Sequence, residues 1–411
     1  MKLRTLLLGA AAATALAPVS ALAERGSDGQ LNIIYWQAPS TLNPFLSGGT
    51  KEVESASMII EPLVRFDSEG NMVPWLAAEI PTLENGGVAE DLKSITWTLK
   101  EGVVWSDGTP LTAADAVFTW EYCTHPEGGC AQSSYFDGVS SVEAVDDLTI
   151  KVSFTEAKPF PYTAFVGSES PIIQAAQFAD CLGAKAPECT EANFNPIGTG
   201  PFMVTEFKPN DVITLEMNPN FREADKPAFS TVVFKGGGDA AAAARSVMET
   251  GEYDYAWNLQ LDPMLLDEMQ SKGLGTVVSA FATSVERIHV NQTNPDPSLG
   301  EGRATLENPH PFLTDPAIGK AMSMAIDREL LVEIGYGAGG QPTCNVLPAP
   351  AVYASTANDD CLVQDIEGAK AVLEEAGWTD TDGDGIRDKD GIKLSVLYQT
   401  STNAVRQDTQ A

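Results

Sequence analysis

The chain has 411 residues, 43% of them hydrophobic, and 57 acidic against 25 basic side chains leave a formal net charge of −32. A phosphate-binding face needs clustered lysine and arginine, so this balance excludes nucleic acid and favours cationic or neutral ligands over polyanions. Screening confines that preference to within ~8 Å at physiological salt, and most of the charge serves solubility and a monomeric state.

The chain opens as a secretory leader. Lys2 and Arg4 precede an apolar run from Leu6 to Ala17, Pro18 breaks the run, and Ala21-Leu22-Ala23 supplies a small-residue cleavage pattern. The run is shorter than the ~20 residues of a spanning helix. The expectation is a protein exported to the periplasm and cut after Ala23, with no cysteine at the cut to carry a lipid. Length and composition suggest two or more domains, with Pro and Gly scattered as turns and no low-complexity linker.

Further along, ITWTLK (95–100) alternates as a half-buried strand does. SDGT (106–109) holds an Asp-Gly turn. Thr112 is placed to cap a helix with Asp115 three residues on, and Ala116, Val117 and Trp120 share its apolar face. Asp107 and Asp115 therefore have local backbone roles, which weighs against a catalytic use. Cys123, Cys130, Cys181, Cys189, Cys344 and Cys361 form three local couples around loop-like segments. In an oxidising compartment they suggest disulfides that staple loops, although spacing does not select the pairing. A metal site fits less well, because no couple has C-x-x-C spacing and only His125 is near.

TVVFKGGGDAAAAARSVMETGEYD (231–254) reads as a strand, a glycine run and a helix closed by Gly251. It lacks the G-K-[ST] ending of a phosphate loop, and Asp239 at the helix start would repel phosphate, so Asp239 reads as an N-cap. GYGAGG (335–340) has dinucleotide-loop spacing but follows a helix and runs into Pro342. Asp315 and Pro316 open one helix, Asp327 a second, and DIEGAKAVLEEAG a third, with Gly377 as stop. DTDGDGIRDKDG (380–391) then leads to the strand IKLSVLYQ (392–399). Asp380, Asp382, Asp384, Gly385 and Asp388 match the first, third, fifth, sixth and ninth positions of a calcium loop, but the twelfth is Gly391 instead of a bidentate Glu. A structural calcium between Asp380 and Asp388 and a plain Asp/Gly turn both remain open.

The catalytic inventory is nearly empty. There is no H-E-x-x-H and no G-x-S-x-G. The histidines His125, His289 and His310 are isolated in sequence. Carboxylate pairs abound only because Asp and Glu abound, and a glycosidase needs two of them facing one cleft.

Several stretches in order along the chain resemble the extracellular solute-binding proteins of peptide-type ABC transporters, the oligopeptide/dipeptide-binding family. They are STLNPF (40–45), IIEPLVRFDSEGNMVPWLA (59–77), WTLKEGVVWSDGTPLTAADAVFTW (97–120), NPIGTGPFMV (195–204), LEMNPNF (215–221), AMSMAIDRELLV (321–332) and AVLEEAGW (371–378). The Asp/Gly loop also recurs in that family, which favours the turn reading. The resemblance implies an α/β, periplasmic-binding-protein-like (type II) clamshell of two lobes with an additional β-rich subdomain on the first lobe. The expected division is a signal peptide over 1–23, a first lobe over 24–285 with the subdomain inserted at approximately 75–190, and a second lobe over 286–411. Members run on further past the position of NAVRQDTQA, so the second lobe is expected to be incomplete. The acidic residue that holds the ligand's amino group in peptide-binding members falls in the part without a counterpart here.

The resemblance puts the ligand against the inner wall. The candidates are Gln37, Leu42 and Asn43 from the loop after the first strand, Gly198 and Thr199 in IGTG, Trp257 and Asn258 in YDYAWNL, and Arg287 at the crossing between lobes. Trp257 would offer a stacking surface, and Arg287 a partner for a carboxylate. Each also has a packing or turn alternative; Gly198 and Gly200 permit a bend. The implied function is capture of a peptide and delivery to the permease and ATPase subunits of an inner-membrane ABC transporter, with no catalysis and no required cofactor. Relatives of the same fold take oligosaccharides, opines, nickel complexes or haem. The reading from a different class is an exported hydrolase acting on glycans.

Overall fold

Hydrophobic alternation builds two larger sheets over a shared cluster, beside two two-stranded sheets, in the computed structural model, which describes residues 25–279, 281, 283–349, 354–401 and 403–411. The expected leader, 1–23, lies outside the described residues. Strand β1 (Gln30–Tyr35) leads through helix α1 (Thr50–Ala56) to a hairpin of β2 (Val64–Phe66) and β3 (Met72–Pro74). Next come β4 (Ser94–Thr98), α2 (Ala113–Thr124), β5 (Val139–Ala144) and β6 (Thr149–Phe154), then the short helices α3 (Ala175–Phe178) and α4 (Thr190–Phe194). The chain continues through β7 (Phe202–Lys208), β8 (Val212–Met217), β9 (Thr231–Gly236), α5 (Ala240–Met248), β10 (Tyr255–Ala256) and α6 (Pro263–Gln270). Helices α7 (Pro316–Ala325), α8 (Arg328–Gly335) and α9 (Ile366–Glu375), the two-residue strands β11 (Asp388–Lys389) and β12 (Ile392–Lys393), and α10 (Ala404–Gln410) follow.

The larger sheet has the order β10-β1-β9-β8-β7. Its β1 is parallel to both neighbours, with Ile33 opposite Phe234 and Tyr255, while β7, β8 and β9 are antiparallel. The smaller sheet, β4-β6-β5, is antiparallel and falls within the 75–190 span. Because strand side chains alternate between faces, Ile33 and Tyr35 point inward, as do Ile95 and Trp97 in β4 and Ile150 and Val152 in β6. One hydrophobic cluster joins them and extends from Ile33 to Trp257. Two smaller clusters are separate: Ala244, Met248 and Met269 between α5 and α6, and Phe312, Ile318 and Trp378 between α7 and α9.

The helices begin where their caps lie. The side chains of Asp239, Asp315, Asp327 and Asp365 accept from Ala242, Ala317, Leu330 and Gly368 backbone N–H groups at 2.7–3.0 Å. Asp115 Oδ2 accepts the Thr112 N–H at 2.9 Å and its Oδ1 the Ala175 N–H at 2.9 Å, so one carboxylate ties α2 to the start of α3. GYGAGG lies at the end of α8 and in a following 3-10 turn, with no strand before it. The cysteines pair as the local couples Cys123–Cys130, Cys181–Cys189 and Cys344–Cys361. Among the described residues no helix is long and apolar enough to cross a membrane.

The expected strand IKLSVLYQ is shorter than its pattern. Of IKLSVLYQ only Ile392–Lys393 pairs, and Leu397 stands 84% exposed. The run around His289 forms no strand. Alternation prepares a segment for a sheet, but only a neighbour's N–H and C=O groups make it a strand.

Candidate ligand site

The parallel strands β1, β9 and β10 end at one edge of the larger sheet, the edge at which open α/β sheets take ligands. Tyr35, the last residue of β1, stacks on Trp257 with ring centroids 4.8 Å apart and meets Phe234 edge-on at 5.3 Å. Trp257 follows β10 and donates its backbone N–H to Ile34 O at 3.1 Å. Trp36 Nε1 donates to Asn258 O at 2.9 Å, and Asn258, exposed, takes φ 51° to turn the chain away. Gln37 is exposed next to Trp36. Gln37, Trp257 and Asn258 are thus brought together at the strand ends.

Helix α1 holds this edge in place. Glu54 Oε2 accepts from Trp257 Nε1 and from the Tyr35 hydroxyl. Burial, with the Glu54 charge second, pushes the Tyr35 phenol well above its usual pKa. Glu52, 2% exposed, accepts the Ser40 N–H at 3.0 Å and the Ser40 hydroxyl at 2.9 Å and pairs with Lys51, whose ammonium also donates to Ala38 O at 3.0 Å. Burial works against the Glu52 charge, but the hydrogen bonds from Lys51 and Ser40 outweigh it and hold the carboxyl below its ordinary range. Ala38 crosses the end of β9 so closely that a Cβ on Gly236 would lie 2.1 Å from its own.

The other candidates stand farther back. Leu42 and Asn43 are fully buried. Asn43 Nδ2 donates to Asn193 Oδ1 at 2.8 Å and Tyr122 OH at 3.0 Å, and its Oδ1 accepts the Phe45 N–H at 3.0 Å. The loop is therefore pinned from below, beside both Cys123 and the Cys181–Cys189 loop, where Asn193 Nδ2 donates to Ala186 O at 2.8 Å. Gly198 and Thr199 are buried too: a Cβ on Gly198 would lie 1.8 Å from Ile59 O, and the Thr199 hydroxyl donates to Glu61 at 2.8 Å. Glu61, with no exposed surface, also accepts from Trp75 Nε1 and is gripped by Arg222 at 2.6 and 3.1 Å. Above this pair opens a cavity of about 540 Å³ lined by Lys100, Glu101, Arg222 and Glu223. Arg287 is exposed and donates from Nε to His289 Nε2 at 2.9 Å. Its neighbour Glu286 takes the Tyr336 hydroxyl at 2.8 Å and Arg406 at 3.1 Å.

Sequence reasoning passed over Tyr35, Trp36, Glu52 and Glu54. The available signal was an aromatic pair at the end of the first apolar strand, followed by a helix with three charged residues in its first turns.

In the Asp/Gly loop the carboxylates of Asp380, Asp382 and Asp384 lie within 4.8 Å of one another, a donor set suited to a hard cation. Lys393 donates to both Asp382 and Asp384. Asp388 accepts the Thr381 N–H at 3.0 Å and hydroxyl at 2.6 Å, so the ninth position closes a turn.

Comparison with known proteins supplies the context. The family described as bacterial extracellular solute-binding proteins, family 5 Middle, matches residues 71–411. The chain is 29% identical over 404 residues to Protein XP55 of Streptomyces lividans, covering 97% of this chain and 67% of that protein. It is 28% identical over 379 residues to the oligopeptide-binding protein AppA of Bacillus subtilis, covering 90% and 63%. The structure of AppA in complex with a nonapeptide is similar at a TM-score of 0.65 and 25% identity, over 90% of this chain and 68% of that one. Lactococcal OppA, complexed with an endogenous peptide in the closed conformation, is similar in fold at a TM-score of 0.72 and 20% identity, over 93% and 74%. The chain spans 67% and 63% of the lengths of the two curated relatives.

Proposed function

The chain belongs to the bacterial extracellular solute-binding proteins of family 5, and from that premise we propose that it captures a peptide outside the inner membrane and delivers it to an ABC permease and its ATPase. The fold is the α/β architecture of the type II periplasmic binding proteins. The family is one of binding proteins, and no reaction is needed to explain this arrangement. We place the first lobe at 24–285, with the β-rich subdomain over approximately 75–190, and the second lobe at 286–411.

The observation that carries the reading is the edge at which β1 and β10 end. It combines a buried aromatic stack, Tyr35 on Trp257, with an exposed loop at Gln37 and Asn258. An extended peptide can be held there by main-chain hydrogen bonds while hydrated pockets take its side chains. Gln37 and Asn258 are the exposed contacts in this proposal, and Trp257, 7% exposed, backs them. Leu42, Asn43, Gly198 and Thr199 fix the wall behind them, and Arg287 takes a ligand carboxylate from the crossing. Binding works by selection of the closed state, which the ligand favours through its differential affinity.

The test is to purify the full chain after export and identify by mass spectrometry what it carries. Intact peptides and an N-terminus at Glu24 are expected; turnover products would overturn the proposal. A peptide at 100 times its Kd should add about 2.7 kcal/mol to stability.

A further inference from the structure

Glu54 stands out at the proposed wall. It sits on α1, exposed, and reaches the ends of both β1 and β10. Its neighbours on the helix are committed: Lys51 pairs with Glu52, and Glu52 anchors Ser40. Glu54 is different. Its Oε2 accepts from Trp257 Nε1 and from the Tyr35 hydroxyl, while among the described residues its Oε1 accepts no hydrogen bond and no basic side chain pairs with it. Tyr255, 51% exposed on the same strand face as Trp257, is near enough for the Glu54 charge to act on its phenol. A carboxylate held by two donors keeps its orientation before a ligand arrives, so little ordering remains to be done on binding.

We propose that Glu54 is the specificity-determining residue of this wall and takes the ammonium or guanidinium group of a cationic ligand side chain at its free Oε1, with Tyr35 and Trp257 holding the carboxylate and Tyr255 flanking the cation. The inference rests on the peptide-capture reading above. A net charge of −32 on the chain draws such ligands inward and leaves the discrimination to this contact.

The experiment is calorimetric titration of the full chain with peptides identical except at one residue, scanned through each position, where lysine is compared with norleucine and arginine with citrulline. A charge-assisted hydrogen bond that the bound peptide shields from water predicts that at one position the cationic peptide binds about tenfold tighter or more. Glu54→Gln keeps an acceptor for Trp257 and Tyr35 and removes the charge, so the ratio should fall to about one; Glu54→Ala is the second variant, with the same expectation. Equal affinities for charged and neutral members in the wild type, or a ratio that survives both substitutions, overturns the Glu54 assignment alone. Failure of every peptide to bind the wild type overturns the peptide-capture reading and the assignment with it.

Discussion

Glu61 shows what a single buried charge requires. Its carboxylate has no exposed surface, and Arg222, Thr199 and Trp75 all spend their donors on it. Removing one partner of such a pair strands the other without water. Glu61→Gln should therefore cost about 3 kcal/mol or more in denaturant unfolding, far more than the substitution of a surface acid. Glu52 makes the corresponding argument for pH. Its folded-state pKa lies below the ordinary value of 4.5. Its contribution is therefore fully present above that pH and is lost as pH falls through the folded pKa, when protonation releases Lys51 and Ser40. Thermal melts across the acid range should show this loss in the wild type and a flatter profile for Glu52→Gln. If the two profiles coincide, the Ser40 anchor carries no charge-dependent stability.

Loops rather than helices and strands are the elements that most need outside support, because they lack ladders of their own. The disulfides Cys123–Cys130 and Cys181–Cys189 close short loops with sequence separations of 7 and 8. Both lie against the segment that carries Leu42 and Asn43, through Tyr122 and Asn193. On the chain-entropy account each closure is worth about 2–3 kcal/mol. Replacing either couple by serines should lower stability by about that amount and weaken ligand binding through the loosened loop. Loss of the Cys344–Cys361 couple, distant in sequence from that loop, should lower stability without the binding defect. Differential scanning calorimetry and titration with the same peptide separate the two outcomes.

For the whole molecule the main feature is that the buried apolar side chains among the described residues fall into three clusters. The large cluster ends at Trp257, and the α7–α9 cluster of Phe312, Ile318 and Trp378 is separate from it. A polar contact links the two stretches of chain, Asn403 to Gln260. Polar contacts exchange more readily with water than a shared apolar core does, as the proposed closure of two lobes would require. Small-angle scattering of the full chain should show compaction at saturating peptide. An unchanged profile with peptide bound would count against closure as the working step.

What was legible from the sequence was local. Caps such as Asp239 and Asp315, the alternating strand read at 95–100 and formed over Ser94–Thr98, the three cysteine couples and the ordered family stretches all depend on neighbours a few residues away or on motif order. The acidic balance limited the partners before any fold was known. Of the residues the sequence singled out, Gln37, Asn258 and Arg287 are exposed and Leu42, Asn43, Gly198, Thr199 and Trp257 are buried, and the roles of Tyr35 and Glu54 were not identified. Those roles arise from β1 lying beside strands about two hundred residues later, Ile33 against Phe234 and Tyr255. Sequence patterns record the periodicity of a strand. The strand's neighbours are selected by long-range burial and pairing, so only the tertiary structure decides which side chains meet at its end.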